Sequence, residues 1–415
     1  MKNPMMKQHA FWSGLICVFA LVGCGSGGGG SSPTATQGLP FNRVAGPNTM
    51  NIYVSDPQNC LATGYENEPC VSVTVCNNDD SNTCKTVNGI LLDTGSFGLR
   101  VFASALTGLS LTPVKDKSGN PIGECAQFAS NSDWGSVQIA KVVLGTEQPV
   151  TVPIQVIDPS FATAPSECAT VDASASGAGF NGILGVGLKA QDCGPDCTVA
   201  NNGFGQYFSC NGSKCVEAAM PLASQVINPV AALPVDNNGV IVTFGAVGSS
   251  GVNTDAGQLI LGIGTEANNV PAAGVTLYQA NSNLNFNGSL QGVSFPGQAF
   301  LDSGSNGMFF PGQIASIPQC SQAQGFFCPS SVLSLTASMQ GVSSGSAVFT
   351  YAMQIGNAES LFNSGDSVFS DIGGQMNNAL DFGLPFFLGR TVYVGIQNAK
   401  AQFNGNAATG PYWAF

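Results

Sequence analysis

Two aspartates sit in the same local grammar, ILLDTGSFGLR around Asp93 and AFLDSGSNGMFF around Asp302, each with apolar residues before it and a hydroxyl, a glycine and a serine after it. A carboxyl set among apolar residues is costly unless it is hydrogen-bonded or protonated. Two carboxyls brought against each other cannot both ionise easily, so they share one proton and titrate as a unit. One member can then take a proton from water while the other delivers one to a polarised oxygen. Gly95 and Gly304 would let the two loops approach without side-chain clashes, and Thr94 and Ser303 could fix the loop backbones through their hydroxyls.

A single Asp-hydroxyl-Gly-hydroxyl tetrad arises by chance in roughly one chain in twenty of this composition. Two copies, each with its own downstream signal, are a different matter. Asp93 is followed 92 residues later by Gly185 in Gly182-Ile183-Leu184-Gly185, and Asp302 is followed 81 residues later by Gly383 in Leu380-Asp381-Phe382-Gly383. These intervals suggest two copies of one supersecondary plan. The bland alternative is that each Asp-hydroxyl-Gly merely closes a turn, with the aspartate capping backbone amides.

The elements needed to position such loops are strands. VSVTVC, GILLD, VQIAKVVL, VTVPIQVI, GVIVTF, QLILGIG, AVFTYAMQI and RTVYVGIQ are short β-type runs bounded by Gly, Asn, Ser and Pro. The fold class read from them is mostly β, with short helices at most around LASQVINPV and FPGQIASI.

The amino terminus reads as an export signal: Lys2 and Lys7, an apolar run, then Leu21-Val22-Gly23-Cys24. It resembles the lipobox of bacterial lipoproteins, with residues 1–23 removed and Cys24 lipidated; a membrane-spanning helix would need roughly 20 apolar residues. Residues 24–39 read as a flexible Gly- and Ser-rich tether. Gly25 after Cys24 implies, by resemblance to Gram-negative lipoproteins, sorting to the outer membrane, with the membrane engaged through lipid alone. No proregion is expected in a tether so short and so poor in basic residues.

Removal of residues 1–23 would take away His9, the chain's one histidine. A Ser-His-Asp triad, a Cys-His dyad and a His-ligated zinc site would then lack their imidazole. Without Lys2 and Lys7 the 12 basic residues become ten against 24 acidic ones, a formal charge of −14. Nucleic acid is not expected as a partner of such a chain.

Fourteen cysteines include Cys17 in the signal and Cys24, leaving twelve for the body. Export favours their oxidation. Cys60 with Cys70, Cys76 with Cys84 and Cys320 with Cys328 have the spacing of short-loop disulfides, with connectivity left open. Cys193, Cys197, Cys210 and Cys215 fit two disulfides or a zinc knuckle, and export favours the disulfides.

Taken together, the two tetrads and their apolar-Gly partners resemble the pepsin-like aspartic peptidases over most of the body. The resemblance implies a bilobal pepsin-like fold with an interlobe cleft, lobes near residues 40–268 and 269–415, and a monomer. Asp93 and Asp302 match the catalytic aspartates, Thr94 and Ser303 the interlocking hydroxyl residues, and Ser96 and Ser305 those that hydrogen-bond the carboxylates. GQLILGIG resembles the segment closing the first lobe, and FGLPFFLGRTVYVGIQNAKAQF the last strands. No cofactor and no metal are implied.

The family's flap hairpin, which carries a tyrosine, is matched by CAQFASNSDWGSVQIAKVVLG, with Phe128 in the tyrosine's place and Trp134 as a partial substitute; both aromatics are equally readable as core. An insertion from Lys189 to Val216 carries four cysteines and is expected to shape access or dock a partner. The activity implied is that of an endopeptidase cutting extended peptide or protein substrates. The competing readings are a pepsin-fold binding lipoprotein with weak or lost catalysis and a surface β-protein without a cleft.

Overall fold

A computed structural model describes residues 36–415 apart from 62–64, 81, 201–203 and 404. The expected export signal, Cys24 and most of the expected tether lie outside the described residues. Strands dominate, and no helix among the described residues exceeds five residues. The β-branched runs of the sequence are the strands: VTVPIQVI forms Val150–Ile157, and GVIVTF forms Gly239–Phe244, buried along its whole length. Strands covered on both faces need no polar alternation. Leu333–Gln340 and Val348–Ile355 do alternate, because one face meets the core and the other solvent. The two stretches read as short helices hold only 3-10 turns, Leu222–Ser224 with Pro229–Ala232, and Gly312–Ile314.

The strands form a large sheet, a seven-stranded sheet and a small hairpin of Lys400–Phe403 with Asn406–Thr409. The large sheet carries the first half of the chain and also takes Leu277–Gln279, Thr391–Gly395 and Tyr412–Ala414 from the second half. Gly239–Phe244 joins the two contributions, pairing with Asp255–Leu261 on one side and Thr391–Gly395 on the other. An apolar core runs through both halves, including Leu92, Leu184 and Val242 from the first and Leu301, Phe382 and Phe386 from the second.

The repeat read from the sequence is a repeat of topology. In the first copy, Gly182–Val186 lies between Cys84–Asp93, to which it is parallel, and Phe97–Phe102, to which it is antiparallel. In the second copy, Leu380–Phe382 lies in the same way between Val293–Leu301 and Met308–Phe310. In each copy the aspartate loop is the connection between the two outer strands. The mostly β class and the doubled plan are those expected from the sequence.

Six disulfides use all twelve cysteines of the body: Cys60–Cys70, Cys76–Cys84, Cys125–Cys168, Cys193–Cys197, Cys210–Cys215 and Cys320–Cys328. The cluster in the insertion is therefore two disulfides. Cys60–Cys70 closes a loop of about ten residues, a constraint that stabilises by about 3 kcal/mol in the chain-entropy picture.

Candidate active site

The two aspartate loops meet tip to tip. The Asp93 and Asp302 carboxyls lie within hydrogen-bonding reach of each other. A Cβ added to Gly95 would sit 2.5 Å from the Asp302 carboxyl carbon, and one added to Gly304 would sit 2.9 Å from that of Asp93. Only glycine permits this approach, which explains the third letter of each tetrad.

Beneath the carboxyls the loops are cross-linked. The Ser303 amide donates to Thr94 Oγ1 at 2.9 Å, and the Thr94 amide donates to Ser303 Oγ at 3.2 Å. Each hydroxyl also reaches the opposite strand, Ser303 Oγ donating to Leu92 O at 2.7 Å and Thr94 Oγ1 to Leu301 O at 3.4 Å. Thr94 and Ser303 are almost completely buried, so these bonds are shielded from water.

The carboxylates are held by their own loops. Asp93 Oδ1 accepts from the amides of Gly95 and Ser96 at 2.7 and 3.2 Å. Asp302 Oδ1 accepts from the Gly304 amide at 2.8 Å, and its Oδ2 accepts from Ser305 Oγ at 2.9 Å. The expectation for Ser96 needs correcting: its amide binds Asp93, but its hydroxyl has no partner. The tight turn already brings two amides to Asp93. Burial of its carboxyl, and then the negative charges of Asp93 and Asp381, hold Asp302 well above the usual carboxylate range. Such a pair can share one proton and act on a water placed between its members.

Residues 45–415 match the family model described as a protein of unknown function, DUF3443. The chain belongs to this family. No curated protein matches it. Among solved structures, the aspartic proteinase from Irpex lacteus is similar at 15% identity, over 88% of this chain and 96% of that one, with a TM-score of 0.49.

In this DUF3443 chain the hairpin expected to be a flap is formed by Ile122–Gln127 and Ser132–Val143, with the Phe128 amide bonded to Asn131 O at 2.8 Å. Phe128 is partly buried; its ring lies 5.9 Å from the Arg100 guanidinium, and it packs on the cluster of Leu91, Phe102 and Phe180. Trp134 is not a cleft residue. It is fully buried, its indole donates to Ala162 O at 2.9 Å, and it packs against Phe161 and Phe208. Strand alternation explains this, since its side chain points to the side holding the Cys125–Cys168 disulfide.

The insertion after the first apolar-Gly strand is built onto that hairpin. Its strand Tyr207–Asn211 pairs with Ile122–Gln127. Arg100, on the strand leaving the Asp93 loop, bonds Glu124 of the hairpin at 2.8 Å and Asp192 of the insertion at 3.1 Å, with all three side chains buried. Tyr207 donates to the same Asp192 at 2.6 Å. Arg100 thus ties hairpin, insertion and aspartate loop together.

Two residues of the site escaped the sequence reading. Tyr65, in the segment between Thr49–Val54 and Pro69–Cys76, donates its hydroxyl to Gly304 O at 2.8 Å. Burial, then Asp302, Glu68, Asp93 and Asp381, keep that phenol protonated far above its usual range. Nothing in its spacing marks it. Asp381 is the other: Ser305 Oγ lies 2.6 Å from its Oδ2. Its signal was an acid inside an apolar run, the same signal that singled out Asp93.

Proposed function

We propose that the chain is an aspartic endopeptidase. In this reading Asp93 and Asp302 share one proton: the ionised member takes a proton from a water between them as that water attacks a peptide carbonyl, and the protonated member delivers its proton to the carbonyl oxygen. Water attacks directly, and no acyl-enzyme forms. Thr94, Gly95, Ser303 and Gly304 keep the carboxyls at the required separation, and Ser305 holds Asp302. The observation that carries the reading is the tip-to-tip meeting of the two loops, with each glycine facing the other loop's aspartate. No cofactor or metal enters the mechanism. The proposal extends to export as a lipid-anchored monomer acting on peptide or protein substrates.

A second reading, a pepsin-fold binding protein with weak or lost catalysis, draws support from Tyr65. Its hydroxyl occupies the carbonyl of Gly304, an acceptor at the heart of the site. The deciding experiment is hydrolysis of a broad peptide library by residues 40–415, from about pH 3 to 7, with and without pepstatin and beside Asp93→Asn. Cleavage that vanishes in the variant supports the peptidase. A folded, disulfide-bonded wild type that cuts nothing supports the binding protein.

A further inference from the structure

At one position that strand register makes equivalent, the two repeats exchange an apolar residue for a carboxyl. Leu91, two residues before Asp93, pairs with Ile183, while Phe300, two residues before Asp302, pairs with Asp381. Ile183 is a buried apolar residue of the first copy. Asp381 is as buried, at 3% exposure, and carries a carboxyl. The serines differ in step with this change: Ser96 Oγ has no partner, whereas Ser305 Oγ lies 2.6 Å from Asp381 Oδ2 and 2.9 Å from Asp302 Oδ2.

A serine hydroxyl carries one proton and can donate to only one of two carboxylates. Both short contacts are hydrogen bonds only if a carboxyl supplies a second proton. Asp302 Oδ1 already accepts the Gly304 amide, but Asp381 Oδ1 has no partner. An ionised carboxylate with an orphaned buried oxygen is costly, and a neutral carboxyl is much less so. The proton therefore belongs on Asp381 Oδ2, which donates to Ser305 Oγ, leaving the Ser305 hydroxyl to donate to Asp302 Oδ2.

We propose that Asp381 is a third carboxyl of the site, a positioning residue that keeps a proton, aims the Ser305 hydroxyl at Asp302 and closes the site down from the alkaline side when that proton is lost. The inference rests on the dyad reading given above. The titratable groups facing Asp381 are Asp302 and Asp93 from the two loops and Tyr65 from the segment before Pro69–Cys76. Tyr65 stays a neutral phenol and the dyad carries one negative charge, so ionising Asp381 places a second negative charge beside it. It also leaves Ser305 with two acceptors and one proton. Burial raises the proton affinity of Asp381 and the charge of Asp93 adds to it; a Ser305 hydroxyl turned to donate to Asp381 would lower it, the arrangement that only the ionised form calls for.

The test compares wild type with Asp381→Asn and Asp381→Leu. Asparagine keeps a donor for Ser305 but cannot ionise; leucine removes the donor and restores the apolar character of Ile183. Infrared spectra of protein carrying labelled aspartate, taken near pH 6, should show one protonated carboxyl fewer in both variants. That readout needs no activity. In peptide hydrolysis, Asp381→Asn should move the alkaline limb of kcat upward by about half a pH unit or more, with the optimum within about threefold, while Asp381→Leu should lower kcat about tenfold at little change in KM. An unchanged carboxyl count, or an alkaline limb that stays put in Asp381→Asn, overturns the proposal. If wild type cuts no peptide, the peptidase reading fails, and the spectra still decide whether Asp381 holds its proton.

Discussion

Thr94 and Ser303 exchange hydrogen bonds reciprocally, each backbone amide donating to the other residue's hydroxyl oxygen. The exchange joins two halves of the chain at buried positions, so its loss leaves unpaired amides with no access to water. Thr94→Val removes the acceptor for the Ser303 amide. The expected cost is about 1–3 kcal/mol, read as a shift of the denaturant midpoint. Ser303→Ala should cost a similar amount, and the double variant less than the sum, because both act on one network.

Asp93→Asn and Asp302→Asn should each lower peptide hydrolysis by at least about 10²–10⁴-fold while leaving the disulfides and the melting transition intact. Asparagine keeps the shape but cannot take part in a shared-proton pair. Residual cleavage at wild-type rates in either variant would sink the dyad mechanism. Gly95→Ala should be nearly as damaging to activity, since its Cβ would displace the Asp302 carboxyl.

Tyr65→Phe separates structure from chemistry. The ring stays and the bond to Gly304 O goes, at an expected cost of about 1 kcal/mol. If Tyr65 bars substrate from that carbonyl, the variant gains in kcat/KM; if Tyr65 orders the site, it loses. Steady-state kinetics on one cleaved peptide distinguishes the two, and an unchanged kcat/KM would remove Tyr65 from the functional account.

Stability should fall as pH rises through the weakly acidic range. Glu68 is buried and its carboxyl is pushed up to about 8, with Oε1 unpartnered. Below about pH 4.5 both folded and unfolded states hold the proton. Above it the unfolded state releases the proton first, so unfolding is favoured progressively until the folded carboxyl ionises near 8. Asp255 and Asp371, each raised to about 6 by burial, act in the same direction. Glu68→Gln should flatten the decline between pH 5 and 8, seen as a melting temperature that drops less than that of wild type over the same range.

The strands were legible because β-branched runs such as VTVPIQVI have few other ways to fold, and the doubled loops because each tetrad carried a downstream partner at a similar interval. Trp134 stayed open between flap and core because a hairpin's sequence does not say which of its faces meets the core. Tyr65 was invisible for a different reason: its partner Gly304 is 239 residues away, and no local pattern encodes such a contact. Asp381 was readable in principle. It was absorbed into an apolar-Gly motif because its neighbours Leu380 and Phe382 satisfied the pattern on either side.

The sharing of one sheet by both halves has a consequence for synthesis. Gly239–Phe244 waits for Thr391–Gly395, which in turn pairs with Tyr412–Ala414, so the large sheet, which carries the Asp93 loop, is completed only when those two strands arrive. Pairings of such long range form slowly. A nascent chain ending shortly before residue 391 would already contain both tetrads, yet it would lack the strands that complete that sheet. Any hydrolytic capacity of this molecule would therefore be withheld until those strands have been made.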